Sequence, residues 1–223
     1  MYMSADVGEI IWLSLQVTTT SVLIGMLIGI PLGAFLGLST FPGKQIVIAI
    51  VYTCMGLPPV LVGVLVYLLL SRYGPLGFLD LLFSPEAMII AQVVLVTPIL
   101  TGLSMAAVHA KESSYWETAK SLGASRLQLM LTIIREAKGG IWAGVATAYG
   151  RAISEVGAVM LVGGNIEHHT RVMTTAIILE TRTGNFAAGL QLGLVLMAIS
   201  FAFNSFLLVG VLNQMKKGRR HTT

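Results

Sequence analysis

Arg151 and Glu155 stand four residues apart inside a long apolar stretch of the chain. On a helix that spacing puts both on one face, where they can pair. A charged side chain in hydrocarbon costs at least about 2.5 kcal/mol, so the pair must face protein or water. It then either serves a passage or locks its helix against the neighbouring ones. Ser154 and Thr147 add hydroxyls to the same stretch, and Thr18, Thr19, Thr20 and Ser21 do so near the start of the chain. Hydroxyls of this kind can hand an anion through a pore without holding it tightly.

Residues for covalent or metal chemistry are scarce. The histidines are His109, His168, His169 and His221, and the adjacent pair projects in different directions on a helix, which disfavours a metal site. Cys54 is the single cysteine and cannot close a disulfide within the chain. Phe41-Pro-Gly-Lys-Gln45 resembles the end of a phosphate-binding loop, but the preceding glycine, Gly37, is one residue too far away. Gln45 also occupies the place of the magnesium-binding Ser or Thr. The chain is therefore expected to hold no cofactor and to hydrolyse no nucleotide itself.

The elements that carry these residues are membrane spans. Of 223 residues 55% are hydrophobic and 11% charged, with a mean hydropathy of +0.83, about half the charge a soluble domain carries. A bilayer core of about 30 Å needs roughly 20 helical residues. Five apolar stretches meet that length: 10–38, 46–70, 87–108, 139–162 and 186–213. The expected architecture is all-α, one transmembrane domain over 1–223 with five spans. Asp6 and Glu9 precede the first stretch where a signal peptide would have basic residues, so it is read as a retained span.

Basic residues next to a span resist translocation. With the N-terminus outside and the C-terminus cytoplasmic, the inner segments hold Lys44, Lys111, Lys120, Arg126, Arg135, Lys138, Lys216, Lys217, Arg219 and Arg220. That is ten of the fourteen basic residues, against only Arg72, Arg171 and Arg182 outside, so the net charge of +4 reflects direction of insertion and not a nucleic-acid partner.

Gly25, Gly29, Gly33 and Gly37 recur every fourth residue along the first span. Such a face admits another helix backbone closely, within the subunit or in a dimer seam. Pro31, the Pro58-Pro59 pair and Pro98 each remove a backbone donor inside a span, so three broken helices are expected, with the adjacent pair carrying the most weight. The longest inner loop, 109–138, has helix-forming composition over 113–122 and again over 126–137. A loop of that length with its own structure is uncommon without a task.

That loop reads Glu117-Thr-Ala-Lys-Ser-Leu-Gly123, with Ile133 after nine further residues. It resembles the Glu-Ala-Ala, three residues, Gly, nine residues, Ile-x-Leu-Pro motif of the permease subunits of ATP-driven, binding-protein-dependent importers. Thr118 replaces the first Ala, Ala119 matches the second, and Arg135 and Glu136 replace the closing Leu-Pro. Phe41-Pro-Gly-Lys44, Gly56-Leu-Pro-Pro59, Tyr73-Gly-Pro-Leu-Gly77, Ser154-Glu-Val-Gly-Ala158 and Gly164-Asn-Ile166 extend the resemblance to the molybdate and tungstate group. The stretch from Arg151 to Thr183 resembles the tungstate permeases in particular.

The resemblance implies a type I importer permease: a homodimer in lipid, with two cytoplasmic ATPase subunits supplying ATP and magnesium chemistry beneath and an external oxyanion-binding protein above. A coupling helix around Ser113, Glu117, Thr118, Ala119 and Gly123 would meet the ATPase. Thr18, Pro58, Pro59, Thr147, Arg151, Ser154 and Glu155 are the candidates for the translocation path. The competing expectation is a self-contained channel or ion-coupled transporter that uses Arg151 and Glu155 as a relay. Tungstate and molybdate are near-identical dianions, and the sequence does not separate them.

Overall fold

The computed structural model describes residues 4–121 and 125–219, with side chains over 7–111, at 125, over 127–207 and at 209. Among these residues all regular structure is helical: α1 (Ser4–Leu38), α2 (Lys44–Met55), α3 (Pro59–Leu70), α4 (Pro85–Ser121), α5 (Arg126–Ile153), α6 (Gly157–Gly163), α7 (Met173–Arg182) and α8 (Phe186–Arg219), with a single 3-10 turn at Gly77–Leu79. Three helices are long and apolar enough to cross a membrane, or five crossings result if α2 with α3 and α5 with α6 each form one bent span.

The glycine stripe explains the central pair. A Cβ at Gly25 would lie 2.8 Å from Val96, one at Gly29 2.8 Å from Leu100 Cβ, one at Gly33 2.8 Å from Ser104 Cβ, and one at Gly37 3.0 Å from Val108. The partners advance in step with the glycines, so α1 and α4 run parallel, backbone close to backbone. The stripe is therefore a seam within one subunit. Pro31 and Pro98 both lie in this part of the chain, yet α1 and α4 continue through them unbroken. Beside Pro98, the hydroxyls of Thr97 and Thr101 donate to Val93 O and Thr97 O at 2.7 and 2.8 Å. Neighbouring helices and hydroxyls hold such a helix together where proline removes a donor. Of the three expected breaks, only the one at Pro58-Pro59 is present.

Because α1 and α4 are parallel, the chain between them must return along their length. Met55 and Val51 of α2 lie against Gly102, and Val62, Val66 and Leu70 of α3 pack with Leu95, Ala91, Met88 and Ala87. The pair thus descends α4 in reverse order, despite a 98° bend between α2 and α3. Gly43, at φ 84°, supplies the left-handed turn that starts α2. The Phe41 to Gln45 segment is a helix-entry turn.

α5 runs antiparallel to α4, with Gly140 against Ala107 and Gly144 against Leu103. Ser125 opens it with a reciprocal cap: the Ser125 hydroxyl accepts the Gln128 amide, and the Gln128 side chain accepts the Ser125 amide at 2.9 Å. Leu129, Ile133, Ala137 and Ile141 of α5 bury against Ala34, Leu38 and Val108, closing one end of the bundle. The loop 109–138 is consequently not a free-standing helix between two spans. His109 to Ser121 contains no Gly or Pro to stop a helix, and α4 runs on through it for a total of 37 residues. The side chains of Ser113, Glu117, Thr118 and Ala119 and the whole of Gly123 lie outside the described residues.

At the opposite end the chain is stitched by short side chains. The Thr170 hydroxyl donates to Gly163 O at 2.6 Å and accepts the Ile166 amide at 2.9 Å. The Ser14 hydroxyl of α1 accepts the amide of Met173, first residue of α7, at 2.8 Å, so one of that helix's orphan donors is met from another helix. Ile10, Met173, Ala176 and Leu192 bury together there.

Candidate functional site

The two bent helix pairs, α2–α3 and α5–α6, meet at their breaks. A Cβ on Gly157, which opens α6, would fall 2.8 Å from Val60 near the start of α3, and one on Gly63 would fall 2.7 Å from Ala158 Cα. Only glycine lets the two backbones come so close. The break in α5–α6 covers Ser154, Glu155 and Val156, bends the path by 54°, and contains no proline.

Side chains from neighbouring helices take up the backbone groups freed there. Gln92 of α4 donates from Nε2 to Ala152 O at 3.2 Å, and the Thr174 hydroxyl of α7 donates to Glu155 O at 2.9 Å. The Glu155 carboxylate is buried, 4% exposed, and its Oε1 accepts the Ala158 amide at 3.2 Å across the break. Its Oε2 stands 3.9 Å from Arg151 Nη2, while the Arg151 side chain is 47% exposed. The pairing expected from the four-residue spacing is present, as one long contact.

Arg151 shares its exposure with Ala143, Thr147 and Ser154, which form one uncovered stripe along α5. The Thr147 hydroxyl donates to Ala143 O at 3.0 Å, and that of Ser154 donates to Gly150 O at 2.9 Å. Both hydroxyl protons are thus committed to backbone, and the guanidinium supplies this stripe's free-facing donors. Pro58, exposed, and Pro59 immediately precede Val60, which meets Gly157 just after the break that ends the stripe. Thr18 lies elsewhere, buried in α1 at 2% exposure. Its neighbour Ser21 is also enclosed, donating to Val17 O at 2.6 Å and to Ile89 O at 3.3 Å.

Other uncovered faces are different in kind. α1 presents Leu23, Ile24, Leu27, Ile28, Leu32 and Phe35, and α8 presents Leu190, Leu194, Met197, Phe201 and Phe206. Apolar faces of this sort match lipid; the α5 stripe, with an arginine in it, does not. A second polar region is a cavity of about 450 Å³ between the start of α1 and the segment before α7, bordered by Glu9, Trp12, Glu167, His168, His169 and Arg171. Within it His168 Nδ1 lies 2.8 Å from Glu9 Oε2, and Arg171 Nη1 3.0 Å from Glu167 Oε1.

Gln92 and Thr174 were not singled out from the sequence. Gln92 is the one side-chain amide in the third apolar stretch, and that isolation was a usable signal. Thr174, second residue of α7, has the hydroxyls of Thr170 and Thr175 close by in sequence, and nothing local marks it. The approaches of Gly63 to Ala158 and of Gly157 to Val60 join residues distant in sequence and have no local signature either.

A bundle of long apolar helices, with two bent helix pairs and a guanidinium on a polar stripe, fits a membrane transport component. Residues 29–217 match the family described as binding-protein-dependent transport system inner membrane component, and the chain belongs to that family. It is 46% identical over 200 residues to the tungstate uptake system permease protein TupB of Peptoclostridium acidaminophilum, covering 90% of this chain and 88% of that one. It is 42% identical over 197 residues to a probable anion ABC transporter permease protein of Haloferax volcanii, covering 86% and 85%. In three dimensions it is similar to a chain of the MetNI methionine ABC transporter, solved in inward-facing conformations, with a TM-score of 0.74 at 18% identity over 94% of this chain and 97% of that one. The all-α fold expected from the sequence is thus that of an ABC importer permease, and the protein resides in a membrane.

Proposed function

We propose that this chain is the membrane-spanning subunit of an ATP-driven importer of a tetrahedral oxyanion dianion, tungstate or molybdate. The observation that carries this reading is the 46% identity to a tungstate uptake permease along 90% of the chain. The polar stripe on α5 adds to it, because an exposed arginine in a span calls for water or a second copy opposite it. Two copies would close face to face with the stripes of Thr147, Arg151 and Ser154 inward, leaving the apolar faces of α1 and α8 to lipid.

The chain crosses the bilayer five times, N-terminus outside and C-terminus cytoplasmic, with each bent pair counted as one crossing. Parallel α1 and α4 and antiparallel α5 support that count, and the basic residues support the direction. The helical extension of α4, with Ser113, Glu117, Thr118 and Ala119, meets a cytoplasmic ABC ATPase dimer, where ATP and magnesium act, and Gly123 is assigned to the same contact. An external binding protein captures the oxyanion and delivers it. The path then runs between the copies past Thr147, Arg151, Ser154 and Glu155, with the Pro58-Pro59 break beside them. Thr18 joins it only if α1 moves out of its present packing.

Deletion of the gene tests the reading. Cells without it are expected to lose accumulation of tungsten or molybdenum from trace external oxyanion, measured by elemental mass spectrometry, and to recover it with a plasmid copy. Unchanged accumulation of both metals would count against the proposal.

A further inference from the structure

The Arg151–Glu155 pair is asymmetric in a way that a simple lock between helices is not. An arginine that locks a carboxylate engages it with two short parallel bonds; here one long contact of 3.9 Å joins an exposed guanidinium to a buried carboxylate. The carboxylate is fixed from the other side, by the Ala158 amide, and its own backbone is held by Thr174. Glu155 is thus anchored to the break while Arg151 is held loosely and left open to the uncovered stripe. The hydroxyls of Thr147 and Ser154 have spent their protons on the α5 backbone, so a passing anion would find its hydrogen-bond donors on this stripe at Arg151.

We propose that Arg151 is the residue that contacts the oxyanion within the membrane, and that Glu155 is a resident competitor which limits how tightly it holds. As the dianion arrives, the guanidinium turns its donors from the carboxylate to the oxyanion. As the dianion leaves, Glu155, still fixed at the break, takes the guanidinium back. A lone arginine would trap a dianion in a low-dielectric passage, whereas an arginine beside a carboxylate offers nearly zero net charge and a weak, reversible hold. The inference rests on the importer reading and gives its path a specific chemical step.

The test uses the permease assembled with its ATPase and binding protein in proteoliposomes, with molybdate as the transported probe. ATP-dependent uptake by the unsubstituted complex comes first; its absence would defeat the importer reading itself, before any variant is made. Arg151→Gln is expected to lower uptake by about tenfold or more, the scale of one lost charge-assisted hydrogen bond, while hydrolysis stimulated by loaded binding protein persists. Glu155→Gln keeps an acceptor for the Ala158 amide but removes the competitor. The maximal rate should then fall together with the molybdate concentration giving half-maximal uptake.

The double variant Arg151→Gln with Glu155→Gln separates this from a structural ion pair. If the pair only stabilises the fold, removing both charges relieves the buried carboxylate left by Arg151→Gln and restores uptake. The proposal expects a well-assembled complex whose uptake stays as low as with Arg151→Gln alone. Restored uptake, normal uptake in Arg151→Gln, or failure of the double variant to assemble would each overturn it.

Discussion

Replacing Gly33 by alanine puts a methyl group in place of a hydrogen at the tightest point between α1 and α4. The new Cβ would stand 2.8 Å from Ser104 Cβ and 2.9 Å from Met105 N, and closer still to Thr101 O. Two of these three neighbours are backbone of α4, which cannot rotate aside. The helices must part by roughly 1 Å, and a gap of that size forfeits a quarter to a half of the dispersion well of each contact along the seam. Overpacking of this kind costs about 1–3 kcal/mol, partly offset by the 0.5–1 kcal/mol that alanine gains over glycine in a helix. A net loss of about 1–2 kcal/mol corresponds to a melting temperature lower by about 2–8 °C for a chain of this size. Intrinsic fluorescence of the three tryptophans in detergent reads the melt directly. Gly8→Ala is the control, since nothing lies within 4 Å of a Cβ there, and it should melt no lower than the parent. If Gly33→Ala melts at or above the parent, or if Gly8→Ala falls as far, the close-packed seam is wrong.

Thr170→Val should lower stability by about 1–3 kcal/mol, because it strands the Ile166 amide and the Gly163 carbonyl that one hydroxyl now serves; the same melt checks it. Thr174→Val removes a single neutral hydrogen bond to Glu155 O and is expected to cost about 1 kcal/mol, visible as a smaller downward shift. Breaking the exposed His168–Glu9 contact with Glu9→Gln should change the melt by less than about 1 kcal/mol, and a larger loss would show that contact to be structural. Glu117→Lys and Gly123→Trp should leave membrane assembly intact, judged by size exclusion, and abolish the coupling of ATP hydrolysis to transport.

What the sequence made legible depended on whether the signal was local. The glycine stripe and the Pro58-Pro59 break are patterns within one segment, and both are present in the fold. The five apolar stretches are a signal of the same local kind; the helices they form give three crossings, or five if each bent pair is one. Pro31 and Pro98, single prolines and so a weaker local signal than the adjacent Pro58-Pro59 pair, do not break their helices, because the seam around Gly29 and Gly33 holds α1 and α4 together; that packing is tertiary and leaves no mark beside the prolines. The break at Ser154 to Val156 is the converse case. It has no helix-breaking residue and is sustained by Gln92, Thr174 and the Gly157–Val60 approach, all from distant parts of the chain. At the candidate site the spacing of Arg151 and Glu155 foretold their contact. It did not foretell that one would be buried at the break and the other exposed on a polar stripe, since α5 ends between them.

The central claim, that this chain moves an oxyanion only as part of an ATP-driven assembly, is tested most directly in proteoliposomes holding the chain with and without its ATPase. With ATPase, ATP inside and loaded binding protein outside, molybdate is expected to accumulate against its gradient, and omission of any one of the three should abolish it. Gradient-driven uptake by the chain alone would contradict the account and favour a self-contained transporter built on Arg151 and Glu155.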